Sequence, residues 1–319
     1  MTARRTMFAL GTWLLATACT PPPPPPEPTC PIEPAHAAIF DLGDVPLVIT
    51  SIHAGTARPQ GCADGTAALR NLTRRDCTPE LDEVCESGPC RAFNVDRGLR
   101  PLTFALVKEL ERCLGGRPSL ALAEVSRKVL DMNRDPDDRG GGLRCAMQDP
   151  AALPYWQAFH DGVEQLVQQA ASQGGSPLLI DLHTYNTLEA APPPAVMLGA
   201  GNPFGMTMPR LTTDDPTLQL VFGKGGLRAR LLAELQGIAD GTLMVHPPSV
   251  DASLEELFSG RYILQRYSRL LEDDTRAGPM IDALQIEVSS GLRDEPELAA
   301  AAIADAICAS FGDRLTRSR

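Results

Sequence analysis

Two apolar runs in this chain each end at a histidine. The run 178–182, Leu178-Leu179-Ile180-Asp181-Leu182, leads into His183-Thr184 and follows Pro177 and the Gly174-Gly175 pair. A short apolar run behind such turn residues is expected to be a buried strand, and a parallel one. Its carboxyl end would carry Asp181 and His183, two residues apart, on one face. Open α/β sheets bind ligands at that end of their strands, and an imidazole there is a natural zinc ligand. Packing could account for one such histidine taken alone. Residues 45–52 repeat the form, however, ending at His53-Ala54-Gly55. A third apolar stretch, 281–288, carries Glu287 in its interior. An acid on a buried strand is costly unless it is paired or used. Between them lies Ser126-Arg127 through Asp131-Met132-Asn133-Arg134. Its arginines are permanently charged and suited to carboxylates or oxyanions, although Arg134 also has Asp135, Asp137 and Asp138 beside it.

The elements that must hold these residues alternate. Strands are expected over 45–52, 119–125, 178–184, 195–199, 242–245 and 281–288. Helices are expected over 102–114, 155–172, 217–238 and 297–311, with a short one beginning at Thr78-Pro79. Leu102, Ala105, Leu106, Leu110 and Leu114 form one helical stripe that stops at Gly115-Gly116. Residues 56–77 read as a long loop. This alternation predicts a single-domain α/β fold, a mixed and mainly parallel sheet flanked by helices. The chain has 319 residues and is 43% hydrophobic, enough for one sizeable core.

The amino terminus reads as an address. Arg4-Arg5, an apolar run from Met7 to Ala16 and the small residues Ala16-Thr17-Ala18 before Cys19 have the order of a secretory signal. Cys19 sits as in a bacterial lipobox and is the expected lipidation site. Six prolines, Pro21 to Pro26, then form an extended spacer. The expected organisation is a signal peptide over 1–18, a lipid-anchored tether over 19–37 and a catalytic domain over 38–319, in an exported cell-envelope protein that meets a membrane through its anchor. Eight further cysteines (Cys30, Cys62, Cys77, Cys85, Cys90, Cys113, Cys145 and Cys308) suit up to four disulfides in that compartment, with Cys85 and Cys90 placed to pair locally. The net charge of −11 and the lack of a basic block argue against nucleic acid as a partner. His160, among aromatic residues on a helix, reads as a packed side chain, and His246 as a rim residue at most.

Taken together, the motifs resemble those of the N-formylglutamate amidohydrolase family, which is related to zinc carboxypeptidases and aspartoacylase-type deacylases. The family's Pro-His-Ser-Gly-like turn is matched by Ile52-His53-Ala54-Gly55. Its acidic Arg-Asp-x-x-Thr-x-Glu-Leu-like segment is matched by Arg75-Asp76-Cys77-Thr78-Pro79-Glu80-Leu81, one residue shorter. Its Ser-Arg-x-x-x-Asp-Leu-Asn-Arg-like stretch is matched by residues 126–134, and its Asp-x-His-Ser by Asp181-Leu182-His183-Thr184. A Gly-Gly-Tyr-Ile-Thr-Arg-like turn appears as residues 259–266, ending in Arg266, and a Gln-x-Glu strand as Gln285-Ile286-Glu287. The matches run in family order from about residue 45 to 295.

The resemblance implies the fold of zinc carboxypeptidases and a catalytic Zn2+. It makes His53 and His183 metal ligands, with Asp76 or Glu80 supplying the third and Asp76 preferred. It implies that Asp181 orients an imidazole, that Glu287 is the general base, and that Arg127 assists catalysis. Asn133, Arg134 and Arg266 would bind a small N-acyl amino acid or peptide-like substrate. Export is an odd setting for N-formylglutamate breakdown, so a γ-glutamyl or cell-wall peptide amide is an alternative substrate. The alternative function is a catalytically inactive surface binding module on the same fold, suggested by Cys77 and Pro79 within the acidic segment. A serine hydrolase is disfavoured, because the chain has no Gly-x-Ser-x-Gly elbow.

Overall fold

A computed structural model describes residues 37–56, 96–127, 130–134, 136, 152–174, 177–185, 196–199, 231, 233–235, 245–246, 262–267 and 281–316. The expected signal peptide and Cys19, the loop and acidic segment with Asp76 and Glu80, and six of the eight cysteines lie outside the described residues.

The described strands are β1 (Ala38–Asp41), β2 (Leu47–Ser51), β3 (Ser119–Ala123), β4 (Leu178–Tyr185), β5 (Val196–Gly199), β6 (Val245–His246) and β7 (Asp282–Ser289). The helices are α1 (Leu99–Leu114), α2 (Leu153–Ser172), α3 (Tyr262–Tyr267), α4 (Ser290–Arg293) and α5 (Pro296–Leu315). They build the expected α/β fold. One seven-stranded sheet runs in the order β1-β3-β2-β4-β7-β5-β6. The pairs β3–β2, β2–β4, β4–β7 and β5–β6 are parallel, while β1–β3 and β5–β7 are antiparallel.

Helix α1 begins three residues before the expected start. Pro101 falls in its first turn, where a missing N–H costs no intrahelical bond. Strand β1 escaped the sequence reading, because four residues paired at a sheet edge leave little periodic pattern.

One face of the sheet is covered by α1 and α5, whose Leu102, Leu106, Leu110, Ile303, Ile307 and Phe311 pack on Leu47, Ile49, Ile180 and Leu284. The alanines of α5 (Ala299, Ala300 and Ala304 are buried) leave room for α1 to approach closely. Cys113 of α1 and Cys308 of α5 form a disulfide with a sequence separation of 195, and Gly98 lies beside Arg293 at the same offset, so the two helices run parallel.

The opposite face changes character along its length. Near the amino ends of the strands, Val48, Leu179 and Ala283 form a cross-strand row under α2. Two residues on, the row is Thr50, Asp181 and Gln285, followed by Gly199. Two further on, His183 and Glu287 are register partners. All five of the polar side chains in these rows are buried. The period of two in a strand turns a polar residue at every second position into a polar strip on one face.

Cutting the disulfide tests how far the α1–α5 layer depends on it. Cys308→Ser is expected to lower unfolding stability by about 2–5 kcal/mol, since the bond closes a long loop. Denaturant titration under oxidising conditions measures this, and a midpoint equal to that of the parent protein would exclude a stabilising role.

Candidate metal and catalytic centre

Three elements bring the centre together. His53 follows β2 in a turn that lies flat against the end of β3. A Cβ on Gly55 would come 2.3 Å from the Val125 carbonyl oxygen, so no larger residue fits there. His183 comes from β4. Asp96 stands just ahead of α1, and Arg97 and Gly98, which has φ 71°, lead from it into the helix. A helix amino terminus favours a nearby carboxylate.

The hydrogen bonds around the two imidazoles are paired. His53 Nε2 donates to Asp131 Oδ1 at 3.0 Å, and His183 Nε2 donates to Asp181 Oδ2 at 2.9 Å. Asp131 is further held by Arg127 Nε at 3.0 Å and the Asn133 N–H at 2.9 Å. Asp181 accepts from the Thr50 hydroxyl at 2.7 Å. Where an imidazole is neutral it has one ring proton, and these carboxylates would hold it at Nε2. Both Nδ1 atoms face one oxygen, Asp96 Oδ2, at 3.2 Å from His53 and 3.1 Å from His183. The rings stand edge to face with centroids 4.7 Å apart.

Two ring nitrogens and a carboxylate oxygen that meet in a buried site call for positive charge among them, carried by a protonated ring or by a cation. His53, Asp96 and His183 each offer one ligand atom, all within 4.8 Å of one another, and could hold a metal ion. In a tetrahedral zinc site with Zn–N near 2.0–2.1 Å, neighbouring ligand atoms stand about 3.3 Å apart. The two Nδ1–Oδ2 separations are close to that. The donor set of two imidazoles and one carboxylate, each imidazole held at its far nitrogen by another carboxylate, fits zinc.

The electrostatics follow from burial and crowding. Burial works to raise Asp96, but His53 and His183 outweigh it and hold the carboxyl well below its ordinary range. Burial likewise opposes ionisation of Asp131, and Arg127 and His53 overcome it. His183 is pulled down by burial and lifted well above its ordinary value by Asp181 and Glu287. Glu287 goes the other way. Burial, joined by Asp96 and Asp181, pushes it up to about 7 against the pull of His183 and Arg127. Tyr185, on the same face beyond His183, is raised to about 12 by burial and Glu287.

The remaining candidates are placed as follows. Arg127 lies inside the cluster, its Nη1 3.7 Å from Asp96 Oδ1. Arg134 Nη1 donates to the Asn133 carbonyl, and Asn133 Oδ1 accepts the Ile263 N–H at 3.3 Å. Trp156 Nε1 donates to the Arg134 carbonyl, and His160 Nε2 donates to the Met132 carbonyl, so α2 braces the loop that carries Asp131. Arg266 stacks over Trp156 and Tyr267 and reaches Glu164 at 4.0 Å. Ser51 faces the other side of the sheet, with its hydroxyl 2.8 Å from that of Thr103.

Asp96 is not among the residues that the sequence marks. Its one signal is an Asp-Arg-Gly turn directly ahead of an amphipathic helix, and the helix begins three residues before its expected start.

No protein-family model matches the chain, and no curated protein matches it. Among solved structures, N-formylglutamate amidohydrolase from Ralstonia eutropha JMP134 aligns with a TM-score of 0.48 and 17% identity, over 88% of this chain and 98% of that one. A gene product of Agrobacterium tumefaciens aligns with a TM-score of 0.47 and 14% identity, over 88% and 94%.

Two measurements probe this centre. Asp96→Asn should lose zinc, and Asp181→Asn should bind it about 10- to 100-fold more weakly. Metal content and competition titration decide the point. Unimpaired binding in Asp96→Asn, with loss in Asp76→Asn or Glu80→Gln, would transfer the carboxylate ligand to that segment.

His160 gives a pH signature. It is fully buried, and burial together with Arg266 holds it well below its ordinary value of 6.5. The unfolded chain therefore takes up a proton below about pH 6.5 that the folded one refuses, and stability falls as pH falls through that window. His160→Gln should remove up to about 1.4 kcal/mol per pH unit of that slope. Equal slopes in parent and variant would contradict it.

Proposed function

We propose that the protein is a zinc-dependent hydrolase that cuts the amide bond of an N-acyl amino acid, N-formylglutamate-like, or of a peptide-like substrate. The observation that carries this reading is the pair of Nδ1 atoms turned on Asp96 Oδ2 while each Nε2 is held by its own carboxylate. His53, Asp96 and His183 would hold the metal, leaving a position open for water. Bound there, zinc supplies a water of lowered pKa and polarises the scissile carbonyl.

The chain's own groups do the rest. Glu287 lies beside His183 across the β4–β7 register. With its carboxyl pushed to about 7 it is largely poised between its two forms at neutral pH, as a group that takes and returns a proton should be. It accepts the proton of the attacking water and passes it to the departing amine nitrogen, ending ionised as it began. Arg127 is a permanent cation amid three carboxylates, Asp131, Asp96 and Glu287, and supports the charge that develops on the carbonyl oxygen. Asp131 and Asp181 keep the imidazoles in the tautomer that presents Nδ1. Of the arginines expected at a substrate carboxylate, Arg134 adjoins the site loop and is assigned there, while Arg266 is already stacked on Trp156 and Tyr267.

Export and a Cys19 anchor would place the reaction at the cell envelope, where γ-glutamyl or cell-wall peptide amides are the available amide class. The test is a panel of N-formyl, N-acetyl and γ-glutamyl amino acids. Glu287→Gln should lower kcat by about 10²–10⁴-fold with zinc content unchanged, and chelation should abolish turnover. Full activity after either treatment would refute the reading.

A further inference from the structure

Strand β4 ends by sending consecutive side chains to opposite sides of the sheet. Asp181 and His183 belong to the site, whereas Ile180 and Leu182 lie in the core with α1 and α5. Thr184 shares the face of Ile180 and Leu182 by the strand's period of two. It is buried, but it does more there than pack. Its hydroxyl donates to the Arg97 carbonyl at 2.9 Å, and its N–H donates to Asp96 Oδ2 at 3.4 Å. One residue at the end of a strand thus grips two successive residues from far ahead of it in the chain.

That grip falls on a particular side of a turn. Gly98, with φ 71°, separates Asp96 and Arg97 from α1. Helix α1 has its own polar ties to the sheet side. The Thr103 hydroxyl lies 2.8 Å from that of Ser51, and Arg100 Nη1 donates to Glu124 at 2.7 Å. Both ties lie beyond Gly98 and fix the helix, not the residues ahead of it. Within the turn, the Leu99 N–H meets the Asp96 carbonyl at a long 3.4 Å. A glycine at positive φ is conformationally permissive, so the direction in which Asp96 leaves the helix has to be set from outside the turn. Distances in a zinc ligand set hold to about 0.2 Å, and a loosely aimed carboxylate would lose affinity.

We infer that Thr184 is a positioning residue that aims Asp96 at the two imidazoles, its hydroxyl acting through the Arg97 carbonyl. The effect on metal binding rests on the reading of His53, Asp96 and His183 as the metal site. The placement of Asp96 against the rings does not need the ion.

The experiment compares the full-length parent with three variants. Thr184→Val keeps the shape and loses the hydroxyl, Thr184→Ser keeps the hydroxyl, and Thr103→Val cuts a tie beyond Gly98. In competition titration, Thr184→Val should bind zinc about 10-fold more weakly, with Thr184→Ser and Thr103→Val within about 2-fold of the parent. Equal affinity in Thr184→Val and the parent overturns the inference. So does an equal loss in Thr103→Val, which would mark a general loosening of α1. The metal-free chain gives a second reading by NMR. The Nδ1 resonances of His53 and His183 should move in Thr184→Val, through the displaced Asp96 carboxylate, and return in Thr184→Ser. A parent that takes up no zinc would sink the metal-site reading and leave these resonances to decide, and unmoved resonances overturn the inference. Should Thr184→Val not fold, Thr184→Ala is held to the same outcomes.

Discussion

Two imidazoles and a carboxylate that meet at one point inside a protein need positive charge among them, on a protonated ring or on a bound cation. His53, His183 and Asp96 are so placed, with both rings buried. The arrangement survives because the far nitrogen of each ring is committed. Asp131 and Asp181 hold Nε2 and leave no alternative tautomer without loss of a charge-assisted bond. Described neighbours hold these two carboxylates in turn. Thr50 bonds one, and Arg127 with the Asn133 N–H bonds the other.

The sheet makes this affordable by separating its two tasks along one face. Towards the amino ends, Val48, Leu179 and Ala283 bury apolar surface against α2. Towards the carboxyl ends, every second residue is polar, and each finds its partner in the neighbouring strand or in the site. The opposite face is mainly apolar and carries α1 and α5, with Ser51 bonded to Thr103 and Asp282 to Arg314. A cluster of ionisable side chains thus sits on a rigid support whose stability comes from elsewhere. Glu287 shows the other use of burial. With the neutral Gln285 amide as its donor in place of an arginine, it keeps a raised pKa instead of becoming a fixed anion.

The aromatic residues of α2 and α3 extend the support outward. Trp156 and His160 bond the carbonyls of Arg134 and Met132, and the Ile263 N–H bonds Asn133. Among the described residues no strand pairs with this loop, and the helices fix it through its backbone. Asn133 is thereby occupied in fixing the loop, and Arg266 in packing on Trp156 and Tyr267.

The local pattern of residues was enough to read the α/β alternation and to mark His53, His183 and Glu287, because a polar residue that ends or interrupts an apolar strand stands out against the strand's own period. Asp96, Asp131 and Gln285 did not stand out. Asp96 lies in a turn, where an aspartate is ordinary, and its meaning comes from the two rings that α1 brings it to face. Asp131 sits in a loop 78 residues from the histidine it holds. Gln285 reads as one more polar strand residue until the register sets it between Asp181 and a glycine. Chain order carries the identity of side chains and their local period. Which lone pairs meet depends on strand register and on how helix and loop ends pack over the sheet, and those distances arise only when segments far apart in the chain are brought together.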